Sequence, residues 1–150
     1  NADGGTRCAS ITAGSLALRL AIRRLIASGR CLPAKLRPTE QQRKEGWKPP
    51  VLSKEEAHGH EMAVMPCDVA ALSVGMVDGE VKVDLDYVLD SNADVDMNVV
   101  MTSAGAFVEV QGTGEEATYT REELNSLIDN AVSGIKMLHE HQVKVLEGVN

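Results

Sequence analysis

An α+β fold, a sheet with a helix layered on it, is what residues 63–150 of this chain predict, and three features carry the reading. Apolar and polar residues alternate along 81–87 and again along 94–99, the period of half-buried strands. Asp78-Gly79 follows an apolar run and is a strong two-residue hairpin signal. Thr120 and Glu123 have the spacing of a reciprocal helix cap, ahead of an apolar stripe of helical period.

Taken in order, residues 9–28 predict a helix. Ile11, Leu18, Ile22, Leu25 and Ile26 share one face, with Leu16 and Leu20 elsewhere. Arg19, Arg23 and Arg24 fall on the polar side and are expected in solvent, contact with RNA backbone or a neighbouring subunit being the alternative, and Gly29 is a suitable stop. Residues 31–62 hold Pro33, Pro38, Pro49, Pro50 and many charges, without a sustained period. They predict an insertion or linker, partly disordered, with Trp47 anchoring it to the body. His58 and His60 suit solvated loop residues better than metal ligands.

Strands are then expected over 69–77, over 81–87 with Val81, Val83, Leu85 and Tyr87 inward, over 94–99, and over 107–111 with Val108 and Val110 on one side. Ser103-Ala104-Gly105 turns the chain between the last two. The final helix is expected from the Thr120 cap to about Val145. Leu124, Leu127, Ile128, Ala131, Ile135 and Leu138 form its inward stripe, and Tyr119 is placed to pack on Leu124.

At 150 residues the chain has the length of one ordinary domain or two small ones. Aromatics are 3% of it, so a core must rest on aliphatic residues and six methionines. No run approaches the roughly 18 apolar residues that cross a bilayer. Cys8, Cys31 and Cys67 are unevenly spaced with no CxxC, which fits a reducing compartment and buried thiols. The net charge of −7 argues against RNA binding until its distribution is considered. Residues 1–30 hold five arginines against one aspartate, whereas residues 63–150 hold sixteen acidic residues against four basic ones. A basic start and an acidic finish can build a site where phosphate and a divalent cation meet.

Two stretches carry candidate chemistry. In residues 1–12, NADGGTRCASIT, a glycine pair runs straight into a helix. Glycines reach backbone angles that let successive N–H groups converge, and a helix start adds free N–H groups and a positive dipole end. Thr6 adds a hydroxyl and Arg7 a planar fork of donors, so Gly5, Thr6 and Arg7 are candidates for phosphate. A plain helix cap after a loop satisfies the same residues. In residues 90–102, DSNADVDMNVVMT, Asp90 and Asp96 flank a bend and can face one point, as a Mg²⁺ site asks. A capped turn and a polar strand face satisfy these residues equally.

Five words, NADGGTRCASIT, SVGMVDG (73–79), VDLDY (83–87), DSNADVDMNVVMT and VEVQGT (108–113), stand in the order found in the phosphorolytic 3′-to-5′ exoribonuclease family. The chain resembles that family, its ribonuclease PH branch above all, over residues 1–29 and about 69–142. The resemblance implies an RNase PH-type fold, the βα layers shared with a ribosomal-protein domain, with a mixed sheet packed by helices. It also implies a fragment, since family members have a comparable length of chain before the first word, with further strands and another arginine on the phosphate. Residues 1–30 would end a first exoribonuclease domain, 31–62 would be the insertion, and 63–150 a second exoribonuclease domain.

The implied activity is phosphorolysis of RNA 3′ ends with inorganic phosphate, trimming tRNA precursors (tRNA nucleotidyltransferase activity) and releasing nucleoside diphosphates. Asp90 and Asp96 would be catalytic and hold Mg²⁺ or Mn²⁺, and Gly5, Thr6 and Arg7 would hold phosphate. A homo-oligomer, a ring of six, in the cytoplasm or an organelle and away from membranes, is implied as well. The alternative is an exosome-type ring subunit that binds RNA or is structural without catalysis.

Overall fold

The computed structural model describes residues 3–115 and 117–149. Its elements are α1 (Thr6–Ala27), a 3-10 turn (Ala34–Leu36), α2 (Glu40–Lys44), α3 (Lys54–Val64), β1 (Val69–Val77), β2 (Glu80–Val83), α4 (Tyr87–Asp90), β3 (Val95–Thr102), β4 (Phe107–Gly114) and α5 (Arg121–Gly148). The chain divides into two units, Asn1–Leu16 with Asp68–Asn150, and Ala17–Cys67.

In the first unit the strands pair in the order β2-β1-β3-β4, antiparallel at every step. The mixed sheet expected from the resemblance is therefore not what these strands form. Parallel neighbours need a crossover of a dozen or more residues, usually a helix. Here Asp78-Gly79 joins β1 to β2 with positive φ of 52° and 75°, the geometry of a tight hairpin, and α4 is a single turn.

Alternate residues of β1 and β3 meet α5. Val74, Val95, Met97 and Val99 are fully buried against Leu127, Ala131 and Ile135, with Leu124, Ile128 and Leu138 at the margin. Each such aliphatic burial is worth about 1.5–3 kcal/mol. The capping box at Thr120 and Glu123 starts α5 where its residue types indicate, and the helix runs to Gly148. Along α5, Gln142 is buried and donates to the Val69 and Thr12 carbonyls at 3.0 and 3.3 Å.

One strand expectation fails for a local reason. β2 stops at Val83, because Asp84 takes φ 59° and turns the chain. Leu85 is then buried from a loop, and Tyr87 starts α4, whose cap is Asp86 accepting from the Leu89 N–H at 2.8 Å. The strand expected over 107–111 is present as β4; its Val108 and Val110 are exposed, on an edge strand beyond the reach of α5.

In the second unit, residues 31–62, expected to be a partly disordered linker, carry a 3-10 turn, α2 and most of α3. Thr39 with Gln42, and Ser53 with Glu56, form complete capping boxes on α2 and α3. Arg19, expected in solvent, is buried: it donates to Glu61 at 3.0 Å and to the Met65 carbonyl at 2.9 Å, and Arg23 meets the same carboxylate. Ile22, Ile26 and Met65 pack beside this pair. These contacts place residues 17–27 with α3, and the two units part at 16/17 and 67/68.

Candidate functional site

The sheet face turned away from α5 is polar. On a strand, residues two apart point the same way. Asp96 and Asn98 on β3 therefore share a face with Val100, and register brings Thr113, Gln111 and Glu109 of β4 beside those three in turn. On the other flank Gly75 and Ser73 of β1 lie opposite Asp96 and Asn98.

The start of α1 lies over this face. Gly4 and Gly5 both have positive φ, 82° and 56°, as the glycine pair predicts. Gly5 accepts from the Ala9 N–H at 2.9 Å, the first bond of the helix. That leaves the N–H groups of Thr6, Arg7 and Cys8 without partners inside the helix. Gly4 has no room for a side chain: a Cβ there would stand 2.3 Å from the Leu85 carbonyl oxygen. The loop it meets is pinned to β1 by Ser73, whose hydroxyl accepts from the Leu85 N–H at 3.1 Å and whose carbonyl accepts from the Asp84 N–H at 2.8 Å. Asn1 and Ala2, the first residues of the opening sequence word, lie outside the described residues.

Arg7 reaches across to β4. One guanidinium nitrogen donates to both Glu109 carboxylate oxygens at 2.7 Å, and another donates to Gln111 at 3.3 Å. The Cys8 thiol donates to the Asn98 side-chain oxygen at 2.9 Å, one pleat from Asp96. Two residues of strand span about 7 Å, which sets the scale between the helix start and the acidic group. Thr6 is exposed at the first position of α1, and Asp90 is exposed at the last position of α4.

The electrostatics tie these residues together. Burial raises the Asp96 carboxyl above its ordinary range, and the negative charges of Asp90 and Glu115 raise it further. Cys8 is pushed up to about 11, mainly by burial; Arg7 pulls it down, and Asp96, Asp84 and Glu109 push it up. The thiol therefore stays protonated and is a packed side chain, not a nucleophile. It feels the charges of both Arg7 and Asp96. Sequence reading missed Glu109, Gln111, Asn98, Ser73 and Asp84. Only the alternation of Val-Glu-Val-Gln at 108–111, which sets Glu109 and Gln111 on one side, offered a signal.

A carboxyl whose proton affinity is raised by neighbouring carboxylates, as that of Asp96 is, suits a hard divalent cation. Among the described residues no three acidic, histidine or cysteine side chains are grouped closely enough to enclose one. Among the described residues no helix is long and apolar enough to cross a membrane.

Residues 68–134 match a family described as 3′ exoribonuclease family, domain 2. Curated relatives extend the likeness over nearly the whole chain. The chain is 42% identical over 145 residues to a ribonuclease PH of Saccharopolyspora erythraea, covering 97% of this chain and 47% of that one. It is 44% identical over 145 residues to a ribonuclease PH of Bacillus pumilus, covering 96% and 48%. It is 42% identical over 145 residues to one of a Synechococcus species, covering 97% and 49%. The chain spans about half the length of the curated relatives it matches.

Proposed function

Since the chain belongs to the ribonuclease PH family of 3′ exoribonucleases, we propose that it carries the phosphate-binding and acidic parts of a site that shortens RNA from its 3′ end with orthophosphate. The observation that carries this reading is the shared face: Arg7 beside the helix start, and Asp96 one pleat from the asparagine that the Cys8 thiol meets.

An attacking anion must be held beside an anionic polymer. The N–H groups of Thr6 and Arg7, with the Arg7 guanidinium, offer donors to orthophosphate, and Glu109 and Gln111 fix the guanidinium in one place. Attack forms a P–O–P bond and breaks the bond from phosphorus to the 3′ oxygen of the preceding nucleotide. A nucleoside diphosphate leaves, and the freed 3′ oxygen takes a proton. Asp96 is suited to hold that proton, because burial and Asp90 keep its carboxyl readier to be protonated than an ordinary aspartate. In place of that proton, a Mg²⁺ or Mn²⁺ held by Asp90 and Asp96 would supply charge neutralisation between carboxylates and phosphates.

The substrate we assign is the 3′ end of tRNA precursors, as a tRNA nucleotidyltransferase activity, acting in the cytoplasm and in a hexameric ring of the whole protein. Residues 1–30 and 63–150 then belong to two exoribonuclease domains joined by 31–62. The test is to incubate the whole protein with a 3′-extended tRNA, phosphate and Mg²⁺ and to identify the products. Nucleoside diphosphates are expected, in proportion to phosphate; nucleoside monophosphates would mean hydrolysis and overturn the reading.

A further inference from the structure

The second unit holds a cavity of about 340 Å³ with none of the residues discussed above as catalytic. Lys35, Arg37, Gln42, Trp47, Lys48 and Pro50 line it. We propose that it is a nucleotide subsite for single-stranded RNA, in which a base stacks on Trp47 and the adjoining phosphates meet Lys35, Arg37 and Lys48.

The volume lies at the lower end of the range of small-ligand sites, roughly 300–1,000 Å³. Trp47 is the only aromatic residue between residues 17 and 67. Its position is fixed from the backbone: α2 ends at Lys44, Gly46 just beyond it takes φ 80°, and the Trp47 N–H donates to the Gln42 carbonyl at 3.0 Å. The ring is half-buried beside the flexible lysines, so a flat surface is held in place while its surroundings can adapt.

The charges point to an anion. Arg37 spends its Nε on the Leu32 carbonyl at 3.0 Å, which orients the guanidinium without neutralising it. Among the described residues no carboxylate forms an ion pair with Arg37 or Lys48, whereas Lys44 on the same segment is paired with Glu40 at 2.9 Å. Lys35 lends some field to Glu56, whose carboxyl is held down mainly by the Ser53 N–H and hydroxyl. Three cations around one tryptophan, in a chain of net charge −7, form a local exception to its overall charge. A flat π-surface ringed by cations is the arrangement that takes bases and phosphates together without sequence preference. The choice of RNA over other anions with a flat ring rests on the proposed function.

Trp47 is the sole tryptophan and reports its own occupancy. Titrating the full chain with octaadenylate should quench its fluorescence saturably, while tripolyphosphate at equal phosphate concentration should not. The double variant Lys35→Ala, Lys48→Ala should flatten the plot of log affinity against log salt by about 1.4, at roughly 0.7 per phosphate contact. With labelled octaadenylate read by anisotropy, Trp47→Leu should weaken binding roughly tenfold and Trp47→Phe should restore most of it. Absence of quenching, equal quenching by tripolyphosphate, or an unchanged salt slope in the lysine variant would each overturn the proposal. Diphosphate release by the whole protein is read separately, so failure of this subsite and failure of the phosphorolytic reading are distinguishable.

Discussion

Gly4 and Gly5 are adjacent, both left-handed, and separable by a single methyl group. Alanine at either position incurs the cost of the left-handed region, about 1–2 kcal/mol. It recovers about 0.4–1 kcal/mol by narrowing the unfolded ensemble. At Gly5 the nearest atom to a new Cβ is the Ser73 hydroxyl oxygen at 3.7 Å, an ordinary contact, so Gly5→Ala should cost about 1 kcal/mol. At Gly4 the new carbon meets the Leu85 carbonyl oxygen at 2.3 Å. Reaching a normal separation near 3.5 Å requires the loop to retreat by more than about 1 Å. That retreat strains the two bonds to Ser73, at 3.1 and 2.8 Å, each worth about 1 kcal/mol. Gly4→Ala should therefore cost about 3–4 kcal/mol in all. With a urea slope of about 2 kcal/mol/M, the midpoint followed by far-UV circular dichroism should fall by roughly 1.5–2 M for Gly4→Ala and about 0.5 M for Gly5→Ala. Equal shifts for the two variants would refute the claim that the α1 start is seated on the Leu85 carbonyl.

Further outcomes follow from the same geometry. Asp96→Asn should stop phosphorolysis by the whole protein while stabilising the fold at pH 7. The carboxyl is raised by burial, Asp90 and Glu115, so its contribution is full below the ordinary value of 3.8 and is lost as pH rises through the folded value. The variant should gain a few degrees in Tm at pH 7, at about 2–4 °C per kcal/mol for this length, and little at pH 3.5; a loss at pH 7 would contradict the electrostatics. Iodoacetamide at pH 7.5 should label Cys31 and Cys67 well before Cys8, whose value of about 11 leaves roughly one thiolate in three thousand. Comparable rates at all three, read by peptide mass, would count against the burial of Cys8. Glu61→Ala should destabilise the second unit by about 3–5 kcal/mol by stranding the buried Arg19, seen as a lower urea midpoint in Trp47 fluorescence. An unchanged midpoint would show that Arg19 finds other support.

What the sequence disclosed depended on whether the signal was local. β1 and its turn were legible because an apolar run ends on Asp78-Gly79, two residue types that tolerate the positive φ they adopt. The start of α5 was legible because a capping box is written in residue types three apart. The same box stands at Thr39 and at Ser53, but the prolines and charges around it suggested disorder. Arg19 was misplaced because helical period assigns a polar residue to solvent unless a partner is known, and Glu61 lies 42 residues away. Glu109 and Gln111 were missed for a related reason. Strand register decides which face meets Arg7, and register is a property of pairs of segments. The candidate residues themselves came from the family likeness, since spacing alone left each with an ordinary structural explanation.

The arrangement of charge gives those residues a common logic. Around the α1 start, Arg7 is paired with Glu109, Asp84 lies beside Gly5, and Asp96 feels the charge of Asp90, so the face is acidic as it stands. An anion approaching such a face is repelled unless a proton or a cation balances some of the carboxylates. Asp96 is the carboxyl best prepared for either, because burial and its acidic neighbours already disfavour its bare charge. Glu109 then has a use that its sign conceals: it lowers the net attraction for phosphate but holds the guanidinium at a fixed place, with Gln111 as a second point. A fixed donor that is partly balanced discriminates by position, whereas a free arginine on an exposed helix would attract any phosphate of an RNA backbone equally. For a site that must seat one small anion beside a long anionic chain, placement is the scarcer property, and the Arg7–Glu109 pair supplies it.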